Sequence, residues 1–257
     1  MSALSAIILS IIQGLTEFLP ISSSAHLVFA QELLRIAHHL RLNYDVILHL
    51  GTTLALLIFF FRRIVQIITS VFARDERQRQ TARWIIFYII IGSIPIAIIG
   101  LLFKDRIELT FAKPIFPALF LIVTAVLLFA TKLVKSPRSQ LKLRSAILIG
   151  IAQAIGLLPG ISRSGATIAT ALLLGINHAE AFEFSFLLSI PAVIGANILT
   201  MKEFTNIPLP IAIISIIITA LTGVLALFIL KNLVRQGKLY YFGFYCILLS
   251  VFALIIF

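Results

Sequence analysis

Acidic residues are scarce: ten Asp and Glu stand against 21 Lys and Arg in 257 residues, and charged side chains make up 12% of the chain. An ordinary soluble domain carries about 25%. So few charges cannot clothe the water-facing surface of a globular enzyme, and with 60% of residues hydrophobic a cytosolic fold is excluded. Lipid is the solvent this composition suits. Cysteine is nearly absent as well. Cys246 stands alone, which excludes an intrachain disulfide and leaves the redox compartment undecided. No Lys or Arg precedes Arg35, so the apolar start lacks the basic segment of a cleaved signal peptide and is expected to belong to the fold. The formal charge of +11 does not point to nucleic acid, because cationic cytoplasmic loops account for it in a polytopic membrane protein.

A helix crossing about 30 Å of hydrocarbon at about 1.5 Å per residue needs about 20 apolar residues. Such runs occur at about 44–61, 84–103, 115–131, 182–201, 210–230 and 239–257, which predicts six spans in one integral membrane domain covering 1–257. Two other apolar stretches are interrupted. Ala3 to Ile12 runs into Gln13, Thr16, Glu17, Pro20 and the serines 22–24, and Ser145 to Ile151 runs into Gln153, Pro159, Gly160, Ser162 and Arg163. Irregular backbone survives at membrane depth only inside protein or beside a polar cavity, so each stretch reads as a re-entrant helix hairpin.

The hairpins resemble each other. Sliding the chain by 140 residues sets Ser5-Ala6-Ile7 on Ser145-Ala146-Ile147, Gln13 on Gln153, and Ile21-Ser22-Ser23-Ser24 on Ile161-Ser162-Arg163-Ser164. The chain therefore divides into repeats at 1–135 and 140–257, each one hairpin plus three spans. An odd number of spans turns the second repeat upside down, so the expected fold is an all-α polytopic membrane protein with an inverted-topology repeat, its two broken tips meeting near the midplane. Loop charge gives the orientation. Fourteen of the 21 cations fall in loops 62–83, 132–144 and 231–238, six fall on the other face, and Arg163 lies inside the second hairpin. The cation-rich face is expected to be cytoplasmic, with both termini outside.

Polar groups in membrane segments are costly and mark functional candidates. Gln13 and Glu17 share a helix face, a half-shell of amide and carboxylate suited to Mg²⁺ or Ca²⁺. Ser22, Ser23 and Ser24 supply hydroxyls and N–H groups at a helix start, where an anion is favoured. Ser162, Arg163, Ser164 and Thr167 repeat this from the other side, the guanidinium matching phosphate oxygens. Ser23 beside His26 offers a nucleophile with a base. Plainer readings stand next to these: serines as packing residues, Glu17 with Arg163 as an ion pair holding the halves together, His26 as a hydrogen-bonded filler. Asp45, His49 and Glu183 either line the pocket or touch interface water. His38, His39 and His178 are expected in solvated loops, Trp84 and Tyr240 at the interface, and the basic run 74–83 against anionic lipid heads.

The stretch from Gln13 to His26 resembles the (E/Q)xxxE motif, with its Ser-rich continuation and His, of the undecaprenyl-pyrophosphate phosphatases, the bacitracin-resistance family. Pro159 to Thr167 matches that family's PGxSRSxxT motif, and Tyr44 to Gly51 resembles a third stretch. The resemblance implies a bacterial plasma-membrane (inner-membrane) hydrolase that converts undecaprenyl diphosphate to the monophosphate and inorganic phosphate, recycling the lipid carrier of cell-wall synthesis, with a site opening to the outer, periplasmic face. It implies a divalent cation, Mg²⁺ or Ca²⁺, held by Gln13 and Glu17. Arg163 would clamp the diphosphate, and Ser162, Ser164 and Thr167 would bind its oxygens. Ser23 would be the nucleophile with His26 activating it, or His26 itself the nucleophile. The implied partners are the polyprenyl diphosphate and membrane lipids, with no nucleic acid; a homodimer stays open. The chain departs from the family in two places: Gln13 stands where many members have Glu, and Ser24-Ala25 where many have Thr-Gly. The first departure leaves one fewer negative charge for a metal. Broken helices in inverted repeats are also transporter architecture, so a polyprenyl-phosphate flippase is the rival, which pairing of Ser23 with His26 argues against. A phosphatidate-type acid phosphatase is disfavoured because its KxxxxxxRP and PSGH patterns are absent.

Overall fold

The computed structural model describes residues 2–111, 113–134, 140–200 and 207–257. Among them no strand forms. The chain folds as α1 (Ala3–Phe18), α2 (Ser23–Leu33), α3 (His38–Ser70), α4 (Glu76–Leu102), α5 (Lys104–Phe111), α6 (Ile115–Ala130), α7 (Leu143–Ile155), α8 (Arg163–Leu173), α9 (His178–Thr200), α10 (Leu209–Arg235) and α11 (Tyr241–Ile256). It is an all-α polytopic membrane protein. Lipid-directed side chains confirm the solvent: Ile90, Leu221 and Ile255 are 58%, 68% and 79% exposed, an apolar surface that water would not tolerate.

Five helices, α3, α4, α6, α9 and α10, are long and apolar enough to cross a membrane, whereas six spans were expected. The sixth, α11, has 16 residues and rises about 24 Å, because turns around Gly237 and up to Tyr240 take the first residues of the apolar run. Other helices outrun their apolar cores. With 33 residues, α3 is about 50 Å long and carries Arg62 and Arg63 beyond the span of 44–61 read from hydrophobicity. His38 and His178 open α3 and α9 instead of lying in loops, and α5 forms where a loop was expected. Lys135, Arg138 and Lys202, counted among the loop cations, lie outside the described residues.

Both interrupted stretches break where the sequence places Pro and Gly. Leu19, directly before Pro20, is extended at ψ 144°, since the proline ring disfavours helical geometry in its predecessor. Ser22 then caps α2 through its side chain at φ 64°, a left-handed conformation costing a non-glycine residue about 1–3 kcal/mol. In the second stretch Gly160 adopts φ 101°, and a Cβ there would collide with the Pro117 carbonyl of α6. Ser162 caps α8 by accepting from the Gly165 N–H at 3.1 Å. The four short helices α1, α2, α7 and α8 have 16, 11, 13 and 11 residues, each short of the roughly 20 a crossing requires.

Packing pairs α1 with α10 and α4 with α7. Both contacts rest on glycine: a Cβ at Gly14 would strike Thr222 of α10, and one at Gly150 would strike the Gly92 carbonyl of α4. Such small residues let helices approach closely where no hydrophobic effect drives them together. Buried Tyr44 ties α3 to α1 by donating to the Ala6 carbonyl at 2.8 Å. Helices α3 and α9 run antiparallel, joined by Arg63 to Glu183 at 2.7 Å and Asn197 to Thr53 at 2.8 Å. So do α6 and α11, where Ser250 donates to the Ala118 carbonyl at 2.6 Å and Gly243 lies against the Phe129 ring.

Candidate active site

The two helix breaks meet. From the first, the Ser22 hydroxyl accepts the Gly160 N–H at 3.1 Å, and Ser24 stands 3.3 Å from the same N–H. Ser22 and Ser24 lie 3.0 Å apart, so these hydroxyls clasp the second break. On the far side of that break, Thr124 of α6 donates to the Gly160 carbonyl at 2.8 Å and accepts the Ser162 N–H at 3.0 Å. A left-handed glycine thus has its donor and its acceptor engaged, which fixes the start of α8 and the direction in which Arg163 leaves it.

Arg163 reaches Glu17. The distance from Nη2 to Oε1 is 2.7 Å, with the two side chains 24% and 8% exposed. The other carboxylate oxygen accepts from Ser23 Oγ at 2.5 Å and from Gln13 Nε2 at 3.0 Å. Glu17 is therefore the hub, and charge-assisted bonds of this kind are the strong ones. The Gln13 amide nitrogen also lies 3.3 Å from His49 Nδ1, which brings into the site a residue whose role the sequence left undecided. Asp45 turns away and accepts from Gln31 at 2.6 Å. Glu183, paired with Arg63, serves as a tie between α3 and α9.

The expected pairing of Ser23 with His26 is not what the geometry gives. His26 Nδ1 donates to the Ser22 carbonyl at 2.7 Å, which leaves Nε2 as the acceptor for the Tyr245 hydroxyl of α11, also at 2.7 Å. The two rings stack with centroids 5.7 Å apart. Both ring nitrogens are thereby occupied, and the partner of the Ser23 hydroxyl is Glu17. One turn of helix separates His26 from Ser22, so its natural reach is back to the carbonyl at i−4.

Beside Glu17 and Arg163 opens a small pocket. Ser164 and Thr167 of α8 line it, as do Thr52 of α3 and Ser185 and Ser189 of α9. Phe18, Leu56, Phe186 and Val193 complete it as an apolar lining, in which Phe186 makes edge-to-face ring contacts with Phe18 and with Phe182. Ser162, by contrast, spends its hydroxyl capping α8 and contacting Ser164 at 3.2 Å. The α9 hydroxyls and Tyr245 were not singled out from the sequence, since both lie in apolar runs where the only available signal is a lone polar residue of unknown facing.

A divalent cation can be tested against the donors present. Gln13 Oε1 is buried with no hydrogen-bond partner, an acceptor left open one turn from Glu17. No cluster of three His, Cys, Asp or Glu occurs among the described residues, so an all-protein cage is absent. Gln13 turns its Nε2 toward Glu17, so a Mg²⁺-type ion held by this carboxylate and amide oxygen would require the amide to reverse, with the remaining oxygens coming from water and a substrate phosphate.

Residues 6–252 match the family model described as bacitracin resistance protein BacA. The chain is 41% identical to an undecaprenyl-diphosphatase of Geotalea daltonii over 99% of its own length and 98% of the relative's. It is 39% identical to one of Methanococcus vannielii over 96% and 98%, and 38% identical to one of Halothermothrix orenii over 100% and 98%. Near-complete coverage of both partners at these identities, together with helix breaks that carry the family's two motifs into contact, places this chain in the bacitracin resistance protein BacA family.

Proposed function

We propose that this membrane protein hydrolyses undecaprenyl diphosphate to undecaprenyl phosphate and inorganic phosphate, recycling the lipid carrier of cell-wall polymers. The observation that carries this reading is Glu17 held between Arg163 at 2.7 Å and the Ser23 hydroxyl at 2.5 Å, beside a cavity with a charged end and an apolar lining.

The chemistry follows from those contacts. Arg163, paired with Glu17 in the free protein, has a fork that transfers to phosphate oxygens when the headgroup enters. The terminal phosphate then sits at the N-terminal end of α8, where Arg163 and free backbone N–H groups stabilise charge developing in the transition state. Ser23 attacks phosphorus as its proton passes to Glu17. The Oγ–P bond forms, the bridging P–O bond breaks, and its electron pair leaves with the prenyl monophosphate, whose departing oxygen takes the proton from Glu17 and returns it to the carboxylate form. Water, deprotonated by Glu17, next attacks the phosphoserine; the Oγ–P bond breaks, Ser23 recovers its proton and phosphate departs. Gln13 and Glu17 would hold a divalent cation, Mg²⁺ or Ca²⁺, whose chemistry is to neutralise phosphoryl oxygens. His26, braced by Tyr245, holds the Ser22 carbonyl and with it the strained backbone that presents Ser23. Ser22 and Ser24 act through the clasp on Gly160, while Ser164 and Thr167 face the headgroup.

We place the two repeats, 1–135 and 140–257, in opposite orientations in the plasma membrane, with both termini and the headgroup opening on the outer face. Antiparallel α3 against α9 and antiparallel α6 against α11 support this, because helices that correspond in an inverted repeat must oppose one another. The exchange of the α1–α10 pair for the α7–α4 pair supports it as well.

Purified protein in detergent, where no compartments exist, is expected to release inorganic phosphate from a prenyl diphosphate, and chelation of divalent ions to stop the release. Folded protein that binds the lipid without releasing phosphate would favour the flippase instead.

A further inference from the structure

One buried hydroxyl at the cavity is left without a function by the chemistry above. Ser185 is 2% exposed, lines the same cavity as Glu17 and Arg163, and its Oγ has no hydrogen-bond partner. A serine within a helix commonly returns its proton to a carbonyl one turn back. Ser189 does so, donating to the Phe186 carbonyl at 2.8 Å, and Thr52 across the cavity lining donates to the His49 carbonyl at 3.0 Å. Of these three hydroxyls only Ser185 retains a proton to give. A buried donor left unsatisfied is unfavourable in the free protein, and such groups in native structures ask for a partner that the folded chain does not itself supply.

The position of Ser185 says which partner. Ser23 approaches Glu17 from the first hairpin, whereas Ser185 is on α9, directly before Phe186, among the apolar side chains Phe18, Leu56 and Val193. The cavity therefore combines a guanidinium and a helix N-terminus, an unpaired neutral donor, and hydrocarbon. A prenyl diphosphate presents three matching groups: terminal phosphate, linking phosphate and isoprenoid chain. We infer that Ser185 is a substrate-binding residue that donates a hydrogen bond to the phosphate remaining on the lipid, and so recognises the product monophosphate as well as the substrate. This rests on the phosphatase reading above.

The two products separate the two subsites. Detergent-purified full-length protein and its Ser185→Ala variant are titrated calorimetrically with farnesyl monophosphate, which carries only the linking phosphate, and with inorganic phosphate, which mimics the terminal one. Ser185→Ala is expected to bind farnesyl monophosphate about tenfold more weakly and to bind inorganic phosphate within about twofold of the parent. Its thermal unfolding midpoint is expected to be unchanged or raised, because an unpartnered hydroxyl contributes nothing to the free protein. Unchanged affinity for the monophosphate, or equal losses for both ligands, would overturn the assignment, as would a lowered midpoint, which would make the hydroxyl structural. The phosphatase reading fails separately: it does so if the parent protein releases no phosphate from farnesyl diphosphate, a result the binding arms do not depend on.

Discussion

Replacing Ser23 by alanine removes the hydroxyl that lies 2.5 Å from Glu17 and is expected to cut phosphate release by at least about a hundredfold, the scale of losing a transition-state contact. Near-normal release would move the nucleophile role to His26 or to water. Tyr245→Phe tests the other contact. It keeps the stacked ring and deletes the hydroxyl bonded to His26, so kcat is expected to fall about fivefold, the worth of one hydrogen bond of about 1 kcal/mol, with little change in KM. An unchanged kcat would detach His26 from the placement of Ser23. The sequence made Gln13, Glu17, Ser23, His26 and Arg163 legible as candidates because polarity at membrane depth is conspicuous. It could not say which touches which. Spacing places Ser23 and His26 three residues apart, yet rotation about the α2 axis sends one hydroxyl inward to Glu17 and the imidazole outward to α11. Ser185 and Tyr245 escaped for the same reason, since an apolar run does not reveal which way its single polar residue points.

The two helix breaks are the elements on which the site depends, and Gly160 is their most exacting position. Its φ of 101° and its contact with the Pro117 carbonyl leave no place for a side chain. Gly160→Ala is expected to lower stability by about 1–3 kcal/mol or more, read as a drop in the thermal unfolding midpoint in detergent, and to depress activity along with it. An unaltered midpoint would show that the second break is not held as described. These breaks were readable from Pro20, Pro159 and Gly160 directly, because proline and glycine act on the backbone locally. Helix ends were less so. A window of apolar residues registers only the part of α3 that lipid touches, not the polar turns on either side, and it merges the turns before Tyr240 into α11.

For the molecule as a whole, the orientation proposed above rests on charge and puts the cation-rich segment 62–83 on the cytoplasmic side. Cys246 is buried and can stay in place during labelling. In intact cells a membrane-impermeant thiol reagent is expected to modify Lys113→Cys and to spare Gln78→Cys, both at exposed positions, Gln78 in the first turn of α4 and Lys113 in the connection that follows α5; the reverse pattern would invert the topology. Two separate helix breaks, one from each half of the chain, meet around Glu17 and Arg163, and under the proposed function they form a single catalytic unit. A double-mutant cycle on phosphate release tests it most directly, using Glu17→Gln, Arg163→Gln and the double variant. Residues acting as one unit are grossly non-additive, so with each single loss about a hundredfold the double variant is expected to be scarcely worse than either single one. Losses that multiply to about ten-thousandfold, the outcome for independent sites, would contradict it.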